Sequence, residues 1–466
     1  MARKATTLST REKRLQAIGA YLGPPGPLLA EFAAGEIPQR IRTFAQAAPD
    51  DILAALSVLN GIAGAATVVH GPAGCVAAQA HAAPDGHWAV TGLDQRDTIL
   101  GADATLSLTI LTLYRRHTPW VIFIVMTPVV AINNDDARSA ADSLSAELGI
   151  PIVVVRTDGF HSRIAATGFD AAAQALLALV PASGDGTNDD LVNLVTGPHA
   201  LAGAGELSAL LAELGLQTTI LPRGAGAADF ARAAQALLSV SLDADAGDAF
   251  AAGLQKAHGV PFLHNPAPIG LEATGAWLRA VGEATGRGYA ADRLHASRLA
   301  ALPQGVLDRP LDGLRVHLAL DPNAALSAAA LVAELGGTVG TLTVDHLDTA
   351  TAERLRVVAD QHPGLILHVA SSHPFEDAGV LASGQRPDLF VGTPERAALA
   401  ASAGIPTVSL RPDALIGYRG AAHLARQARK ALRNPAFIAR IAAKPSVYAP
   451  SWFKRSADWH IKQEVR

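Results

Sequence analysis

The segment "TVVHGPAGCVAAQAH", Thr67 to His81, contains Cys75, which is the only cysteine in a chain of 466 residues. Its β-branched start at 67–70 predicts a buried strand, and the Gly-Pro-Ala-Gly run at 71–74 predicts a tight turn. Residues 76–80 predict the start of a helix. A strand that leads through a glycine turn into a helix is the repeating step of a parallel α/β fold.

The same step recurs along the chain. It returns in "WVIFIVMTPVVAINNDDARSAADSLSAELG" at 120–149, in "DLVNLVTGPHALAGAGELSALLAELG" at 190–215, in "GLRVHLALDPNAALSAAALVAELG" at 313–336 and in "PDLFVGTPERAALAASAGIPTVSL" at 387–410. Strands that alternate with helices predict an α/β fold with doubly wound parallel sheets, covered by helices on both faces. In such folds the functional groups gather at the carboxyl ends of the strands.

Length and composition predict more than one domain. The chain is 49% hydrophobic and 17% charged, and it is longer than one compact core can accommodate. Shifts in composition predict a helical leader at 1–45, three Rossmann-like α/β domains at 46–185, 186–305 and 306–433, and a C-terminal tail at 434–466.

Charge and hydropathy exclude several classes of partner. The formal net charge is −4, from 38 Lys and Arg against 42 Asp and Glu, which argues against a nucleic-acid surface. No uninterrupted apolar stretch is long enough to cross a bilayer. A single cysteine excludes an internal disulfide and suits a reducing cytoplasm. We therefore expect a cytoplasmic protein with neither a nucleic-acid nor a membrane partner.

Cys75 is the first candidate for chemistry. The amides and dipole at a helix N-terminus favour a thiolate, although a free cysteine is more often a buried structural residue. A nucleophile needs a base; His70 and His81 are near in sequence, but nothing in the sequence orients His70. A thiolate that binds metal needs companion thiolates, and these would have to come from another chain.

The turn "HGPAGC" resembles the cysteine turn of the nitrogenase component 1 superfamily. Four further segments resemble family motifs in the family's order: "VTGLDQRDTILG" from Val90, "VIFIVMTPVVAINNDD" from Val121, "DGFHSRIAATGFD" from Asp158 and "IGYRGA" from Ile416. The resemblance spans about 42–433. It departs from the family pattern at Gln95, where the family typically has a glutamate.

The resemblance implies a role for Cys75 and also limits it. Catalytic nitrogenase β-subunits supply three cysteines to an eight-iron cluster at the subunit interface. Here Ala47 and Pro128 stand at the other two positions, and neither residue can ligate iron. The resemblance therefore implies that Cys75 is one metal ligand of a [4Fe–4S] cluster, and that the other three cysteines of this cluster belong to a partner subunit. A four-iron cluster is favoured over an eight-iron cluster.

The function implied is that of a β-like subunit in a nitrogenase-like two-component reductase. Its partners would be an α-like subunit, in an α₂β₂ heterotetramer, and a transient ATP-dependent iron protein; the chain itself has no P-loop motif. Among the reductases of the superfamily, one of the methylthio-alkane type, which reduces carbon–sulfur bonds, or an otherwise uncharacterised one ranks first. The alternatives are a scaffold subunit for nitrogenase cofactor maturation and a metal-free binding protein in which Cys75 is core.

Other segments are weaker candidates. His161 and Arg163 are either interface residues or solvated loop residues, with the second interpretation favoured. The segments His264–Gly270 and Ser371–Asp377 follow predicted strands and either line an interdomain cleft or only form turns. The aromatic residues of the tail either pack on the body of the protein or contact a partner subunit.

Overall fold

The computed structural model describes residues 17–35, 37–43, 50–75, 86–159, 164–182, 188–199, 202–371, 373–383, 385–442 and 449–463. Contacts divide the chain into two compact units. Unit 1 contains the described residues of Pro49–Leu201 and Gly215–His264, and unit 2 those of Leu15–Ala48, Ala202–Leu214 and Asn265–Arg466. The domain limits expected from composition remain a prediction.

The described residues form strands in the following order along the chain. They are β1 (Ala17–Ile18), β2 (Ala20–Gly23), β3 (Arg40–Arg42), β4 (Ala65–His70), β5 (His87–Val90), β6 (Val121–Met126), β7 (Ile152–Val155), β8 (Asn188–Val195), β9 (Gln217–Leu221), β10 (Ala236–Ser241), β11 (Phe262–Leu263), β12 (Arg315–Ala319), β13 (Thr338–Val344), β14 (Leu347–Asp348), β15 (Ile366–Ala370), β16 (Leu389–Gly392), β17 (Thr407–Ser409) and β18 (Ile461–Gln463).

The α-helices of the described residues alternate with these strands. They are α1 (Pro25–Ala34), α2 (Asp51–Leu59), α3 (Gln95–Leu100), α4 (Asp103–His117), α5 (Pro128–Asn133), α6 (Ala137–Leu148), α7 (Thr167–Leu177), α8 (Ala202–Glu213), α9 (Ala227–Ala233), α10 (Asp248–His258), α11 (Leu271–Ala284), α12 (Gly288–Ala300), α13 (Gln304–Leu307), α14 (Pro322–Glu334), α15 (Ala352–Gln361), α16 (Pro374–Ser383), α17 (Pro394–Ser402), α18 (Gly417–Leu432) and α19 (Pro435–Ala442). No described helix is long and apolar enough to span a bilayer.

Unit 1 contains two four-stranded parallel sheets, in the orders β5-β4-β6-β7 and β11-β10-β8-β9. Strand β4 is buried along its whole length, as its run of apolar and β-branched residues predicts. One apolar cluster includes Phe123 of β6 and Leu221 of β9, so residues from both sheets share a core within this unit. The carboxyl end of β4 carries the turn to Cys75.

Unit 2 is built on a six-stranded sheet in the order β17-β16-β12-β13-β15-β2. Five strands are parallel, and β2 joins the edge antiparallel to β15. A separate two-stranded pairing joins β3 to β18 in the C-terminal tail. The predicted α/β class with parallel sheets is confirmed.

Candidate functional site

The turn that carries Cys75 lies at the carboxyl end of β4, a central strand of its sheet. After Gly71 and Pro72, a short 3₁₀ helix covers Ala73–Cys75, and the Cys75 amide donates a hydrogen bond to the Pro72 carbonyl at 3.1 Å. Cys75 is a free cysteine of intermediate exposure and belongs to none of the apolar core clusters of the described residues. The helix predicted at 76–80 and His81 lie outside the described residues.

Three loops from neighbouring strands meet at Gly71. The Gly71 amide donates to the Thr91 hydroxyl at 2.8 Å, and the Leu93 amide donates to the Gly71 carbonyl at 3.2 Å. From the other side, the Thr127 hydroxyl donates to the His70 carbonyl at 2.8 Å. The motifs that begin at Val90 and Val121 therefore hold the cysteine turn in place through direct hydrogen bonds.

His70 is buried at the end of β4, and its ring does have neighbours. Nδ1 lies 3.3 Å from the Thr91 hydroxyl oxygen, and Nε2 lies 3.8 Å from a carboxylate oxygen of Asp135. Burial lowers the pKa of His70 from 6.5 to about 4, with a smaller opposing effect from Asp103, so the ring is neutral at pH 7. The expectation that nothing orients this histidine was wrong, because its neighbours come from loops that are distant in sequence.

Asp51 is a buried carboxylate that the sequence did not single out. It begins α2, and its two carboxylate oxygens accept hydrogen bonds from the Asp158 amide at 3.1 Å and the Gly159 amide at 2.8 Å. Burial raises the pKa of Asp51, and these amide hydrogen bonds act in the opposite direction. A Cβ on Gly168 would lie only 1.9 Å from the Asp51 carbonyl oxygen. The motif that begins at Asp158 is thus packed onto the start of α2.

Three exposed side chains form an apolar patch on the helices that follow β5 and β6, the strands on either side of β4. Ile99 and Leu100 of α3, which follows β5, are 80% and 72% exposed, and Ile132 of α5, which follows β6, is 69% exposed. The two helices contact each other, and the Asn133 side-chain amide donates to the Thr98 carbonyl at 3.2 Å. Because β4 lies between β5 and β6, the patch and the turn share one edge of the sheet. Clustered exposed apolar side chains are typical of an interface.

Five further candidates from the sequence have the following positions. Pro128 is the first residue of α5. His264 follows β11, and its ring Nδ1 lies 3.1 Å from an Asp248 carboxylate oxygen. Ala47, His161 and Arg163 lie outside the described residues.

The segment Ser371–Asp377 follows β15, but its central carboxylate is engaged inside unit 2. Glu376 is 1% exposed and accepts hydrogen bonds from Arg42 at 2.8 and 3.0 Å. Its oxygens also lie 2.9 Å from His368 Nε2 and 2.7 Å from His460 Nε2. Because His460 belongs to the tail, this part of the tail packs on the body of its own unit. Whether the aromatic residues of the tail contact a partner subunit stays a prediction.

The last motif, from Ile416, forms the start of α18. Gly417 has a φ of 77°, and a Cβ there would lie 2.5 Å from a Glu206 carboxylate oxygen. The Arg419 amide donates to the same carboxylate, and the Tyr418 hydroxyl lies 2.7 Å from His295 Nδ1. The motif therefore secures a helix start within unit 2.

Cys75 is left as the one thiol available for metal chemistry. Among the described residues, no group of three or more His, Cys, Asp or Glu side chains is placed to hold a metal ion. A partly exposed thiol at the tip of a rigid turn can supply a single sulfur ligand to a centre that another polypeptide completes. That donor set fits a shared cluster.

Curated proteins and solved structures resemble most of this chain. It is 24% identical to NifE, the nitrogenase iron-molybdenum cofactor biosynthesis protein, of Methanococcus maripaludis, over 81% of this chain and 82% of that protein. It is 25% identical to a subunit of the light-independent protochlorophyllide reductase of Heliobacterium modesticaldum, over 79% of this chain and 76% of that protein. Some alignments are shorter: that with NifE of Clostridium pasteurianum, at 29% identity, covers 31% of this chain and 33% of that protein.

The fold matches a structure of nitrogenase Cp1 at pH 6.5 with a TM-score of 0.74 and 18% identity, over 85% of this chain and 95% of that one. The predicted nitrogenase component 1 type of fold is thereby confirmed. A family model described as nitrogenase component 1 type oxidoreductase matches residues 51–433. The chain therefore belongs to the nitrogenase component 1 type oxidoreductase family.

Proposed function

We propose that this chain is the β-like subunit of a nitrogenase-like two-component reductase and that Cys75 gives one thiolate to an iron–sulfur cluster shared with an α-like partner. The observation that carries the proposal is the position of the only cysteine. It is partly exposed on a hydrogen-bonded turn at the same edge of the sheet as the apolar patch, rather than buried in a core.

The residues of the turn favour a four-iron cluster. Cys75 would hold the cluster, while Gly71, Thr91 and Thr127 fix the turn that presents the sulfur. Three partner cysteines and one from this chain complete the four ligands of a [4Fe–4S] cluster. When bound, such a cluster supplies one-electron transfer. Pro128 offers no sulfur for a larger cluster.

The apolar patch of Ile99, Leu100 and Ile132 supports an α-like partner at this edge of the sheet. Burial of these side chains against a partner would exclude water from the neighbourhood of Cys75. We propose an α₂β₂ heterotetramer that receives electrons from a transient ATP-dependent iron protein. The absence of a P-loop motif from the sequence agrees with nucleotide binding by that separate protein.

Within this class we propose reduction of the carbon–sulfur bonds of methylthio-alkanes, with the active site mainly in the α-like partner. The replacement of two family cysteines by Ala47 and Pro128 distinguishes this chain from an ordinary dinitrogen-reducing β-subunit. A scaffold subunit for cofactor maturation is the second candidate. It is favoured by the similarity to NifE over 81% of this chain.

The decisive experiment is anaerobic co-purification of this chain with its α-like partner, followed by elemental analysis and low-temperature electron paramagnetic resonance. We expect Cys75→Ala to remove most of the interfacial iron and its signal while the complex still folds. The matched control is Gly74→Ala, since a Cβ at Gly74 meets no atom within 4 Å. Unchanged iron and an unchanged signal in the cysteine variant would contradict a ligand role.

A separate measurement distinguishes the two candidate functions. A reductase complex supplied with its iron protein, ATP, a low-potential electron donor and a methylthio-alkane should cleave the carbon–sulfur bond with two electrons and two protons, and it should release methanethiol together with the hydrocarbon. A scaffold complex should instead transfer a bound metal cluster to a cofactor-free nitrogenase without turnover of the sulfide. Transfer of the cluster without reduction of the methylthio-alkane would contradict the reductase proposal and support the scaffold function.

A further inference from the structure

Unit 2 contains a cavity that the proposed function does not use. It has a volume of about 570 Å³ and lies between the residues around α13 and the second half of α18. Cavities that bind small molecules have volumes of about 300–1,000 Å³. The cavity is therefore large enough for a small organic ligand.

The wall of the cavity is largely apolar. Pro303 and Val306 line it on the α13 side, and Ala422 and Ala425 line it on the α18 side. Val306 and Ala425 are buried, at 4% and 2% exposure, so the wall is continuous with the packed interior of the unit. Such a wall favours a ligand with an aliphatic or flat aromatic group over a hydrated inorganic ion.

Four cations line the other side of the cavity: Arg426, Arg429 and Lys430 of α18, and Arg433, which directly follows the helix. Their spacing of three and four residues places them side by side on the helix, and like charges at this spacing destabilise a helix. The favourable effect of a cation on the helix dipole is confined to the last turn, and Arg426 lies before that turn. Helix stability therefore does not account for the whole row.

Only one of these cations has a carboxylate partner among the described residues. Arg429 donates to Asp308 at 2.8 Å, and hydrogen bonds from Gln304 and from Arg429 lower the pKa of the Asp308 carboxyl. Arg426 donates to the ring Nδ1 of His423, whose pKa is lowered by burial and by the charge of Arg426. The imidazole is neutral in this contact, so it leaves the positive charge of Arg426 uncompensated.

From this arrangement we propose that the cavity binds a small organic anion, with an apolar or aromatic body against the wall and a phosphate or carboxylate group against the cations of α18. Arg426 and Lys430 supply the charge-assisted hydrogen bonds, since guanidinium and ammonium groups both bind phosphate and carboxylate oxygens. The site is independent of Cys75 and of the proposed function.

Anilinonaphthalene sulfonate is a suitable first probe because it combines an aromatic body with one anionic group. Its fluorescence is titrated with the full-length chain and with the double variant Arg426→Gln/Lys430→Gln. We expect the double variant to raise the Kd by roughly tenfold, through the loss of two charge-assisted contacts. We also expect the wild-type Kd to rise with ionic strength.

The matched control is Lys256→Gln/Arg293→Gln, which makes the same change in net charge at exposed residues outside the cavity. Thermal unfolding verifies that all variants are folded, and Arg433→Gln provides a second test of the same face. Equal Kd values for the cavity variants, the control and the wild type would overturn the proposal.

Competition identifies the anionic group. Displacement of the probe by adenosine monophosphate indicates a phosphate-bearing ligand, and displacement by naphthoate indicates a carboxylate-bearing one. Failure of both to displace the probe would place it outside the cavity and would also overturn the proposal.

Discussion

Thr127 occupies the space that a side chain on Gly71 would need. A Cβ built on Gly71 would lie 1.8 Å from the Thr127 hydroxyl oxygen and 2.8 Å from the Thr127 Cβ. Only glycine at position 71 therefore allows the loop after β6 to close over the end of β4. The direction in which Cys75 leaves the sheet depends on this contact.

We expect Gly71→Ala to lower the free energy of unfolding by about 2–3 kcal/mol, a typical cost of overpacking a buried site. Denaturant unfolding of unit 1, followed by tryptophan fluorescence, measures the change. Gly74→Ala, which meets open space, should differ from wild type by less than about 0.5 kcal/mol. Adding Thr127→Gly to Gly71→Ala should restore part of the loss; no restoration would show that the contact is not the cause.

The free energy of unfolding should depend on pH because of His70. The folded chain holds His70 neutral down to about pH 4, whereas the unfolded chain protonates it near 6.5, so acid favours unfolding between these values. A shift of this size corresponds to roughly 3 kcal/mol. We expect the stability advantage of wild type over His70→Gln to shrink as the pH falls from 7 to 4.5.

Denaturant unfolding at several pH values tests this expectation. The control is His264→Gln, because the His264 side chain is 75% exposed. A constant difference between wild type and His70→Gln across the pH range would contradict a neutral buried ring.

The carboxylate of Glu376 should be essential to the fold of unit 2. Its pKa is held below its ordinary value of 4.5 because hydrogen bonds from His368 and Arg42 outweigh the opposing effect of burial. A depressed carboxyl pKa stabilises the folded state above pH 4.5, and this stabilisation is lost as the pH falls below that value. Glu376→Gln should lower the free energy of unfolding by about 3–5 kcal/mol at pH 7. Below pH 4.5, the free energy of unfolding of the variant should decrease less steeply with pH than that of the wild type.

Calorimetry at pH 7 and pH 4 provides this measurement. Glu147→Gln, at an exposed residue of α6, serves as the control and should behave as wild type at both values. A Glu376→Gln variant with wild-type stability at pH 7 would show that the buried contacts are not stabilising.

The chain expressed without its partner should retain little iron. It offers one cysteine, and a [4Fe–4S] cluster requires four ligands. We expect elemental analysis of the anaerobically purified chain to give far fewer than four iron atoms per molecule. Stoichiometric loading of the isolated chain would argue against a cluster shared between subunits.

Ile132 should be part of the surface that meets the α-like partner. A charge at a desolvated interface is costly, so Ile132→Asp should abolish co-purification of the two subunits or weaken it by at least tenfold. The side chain is 69% exposed, and the variant alone should therefore fold normally. Tyr289→Asp, at a residue that is 79% exposed on α12, is the control. Equal recovery of the partner with both variants would show that the patch is not part of the interface.

Local pattern was sufficient to predict the strand at 67–70 and the turn after it, because consecutive apolar β-branched residues and a Gly-Pro pair determine both. The structure extends that strand to Ala65. Contacts distant in sequence were not predictable. Asp51 acquires its role from amides more than a hundred residues away, and nothing near it in sequence announces them.

The same limit applies to unit 2. Glu376 has the pattern of a turn residue in its own segment, but its partners come from β3 and from the tail. The cations of the α18 cavity are three and four residues apart, and this spacing of like charges is a signal that the sequence alone carries.

The pairing of β2 with β15 has a consequence for biosynthesis. Residues Ala20–Gly23 leave the ribosome well before Ile366–Ala370, to which they bond, because more than 300 residues separate the two strands. At roughly 5–20 residues per second, the early segment waits on the order of tens of seconds for its native neighbour. Its backbone groups are open to wrong pairing during that interval, so production of this protein in a new host should benefit from abundant chaperones.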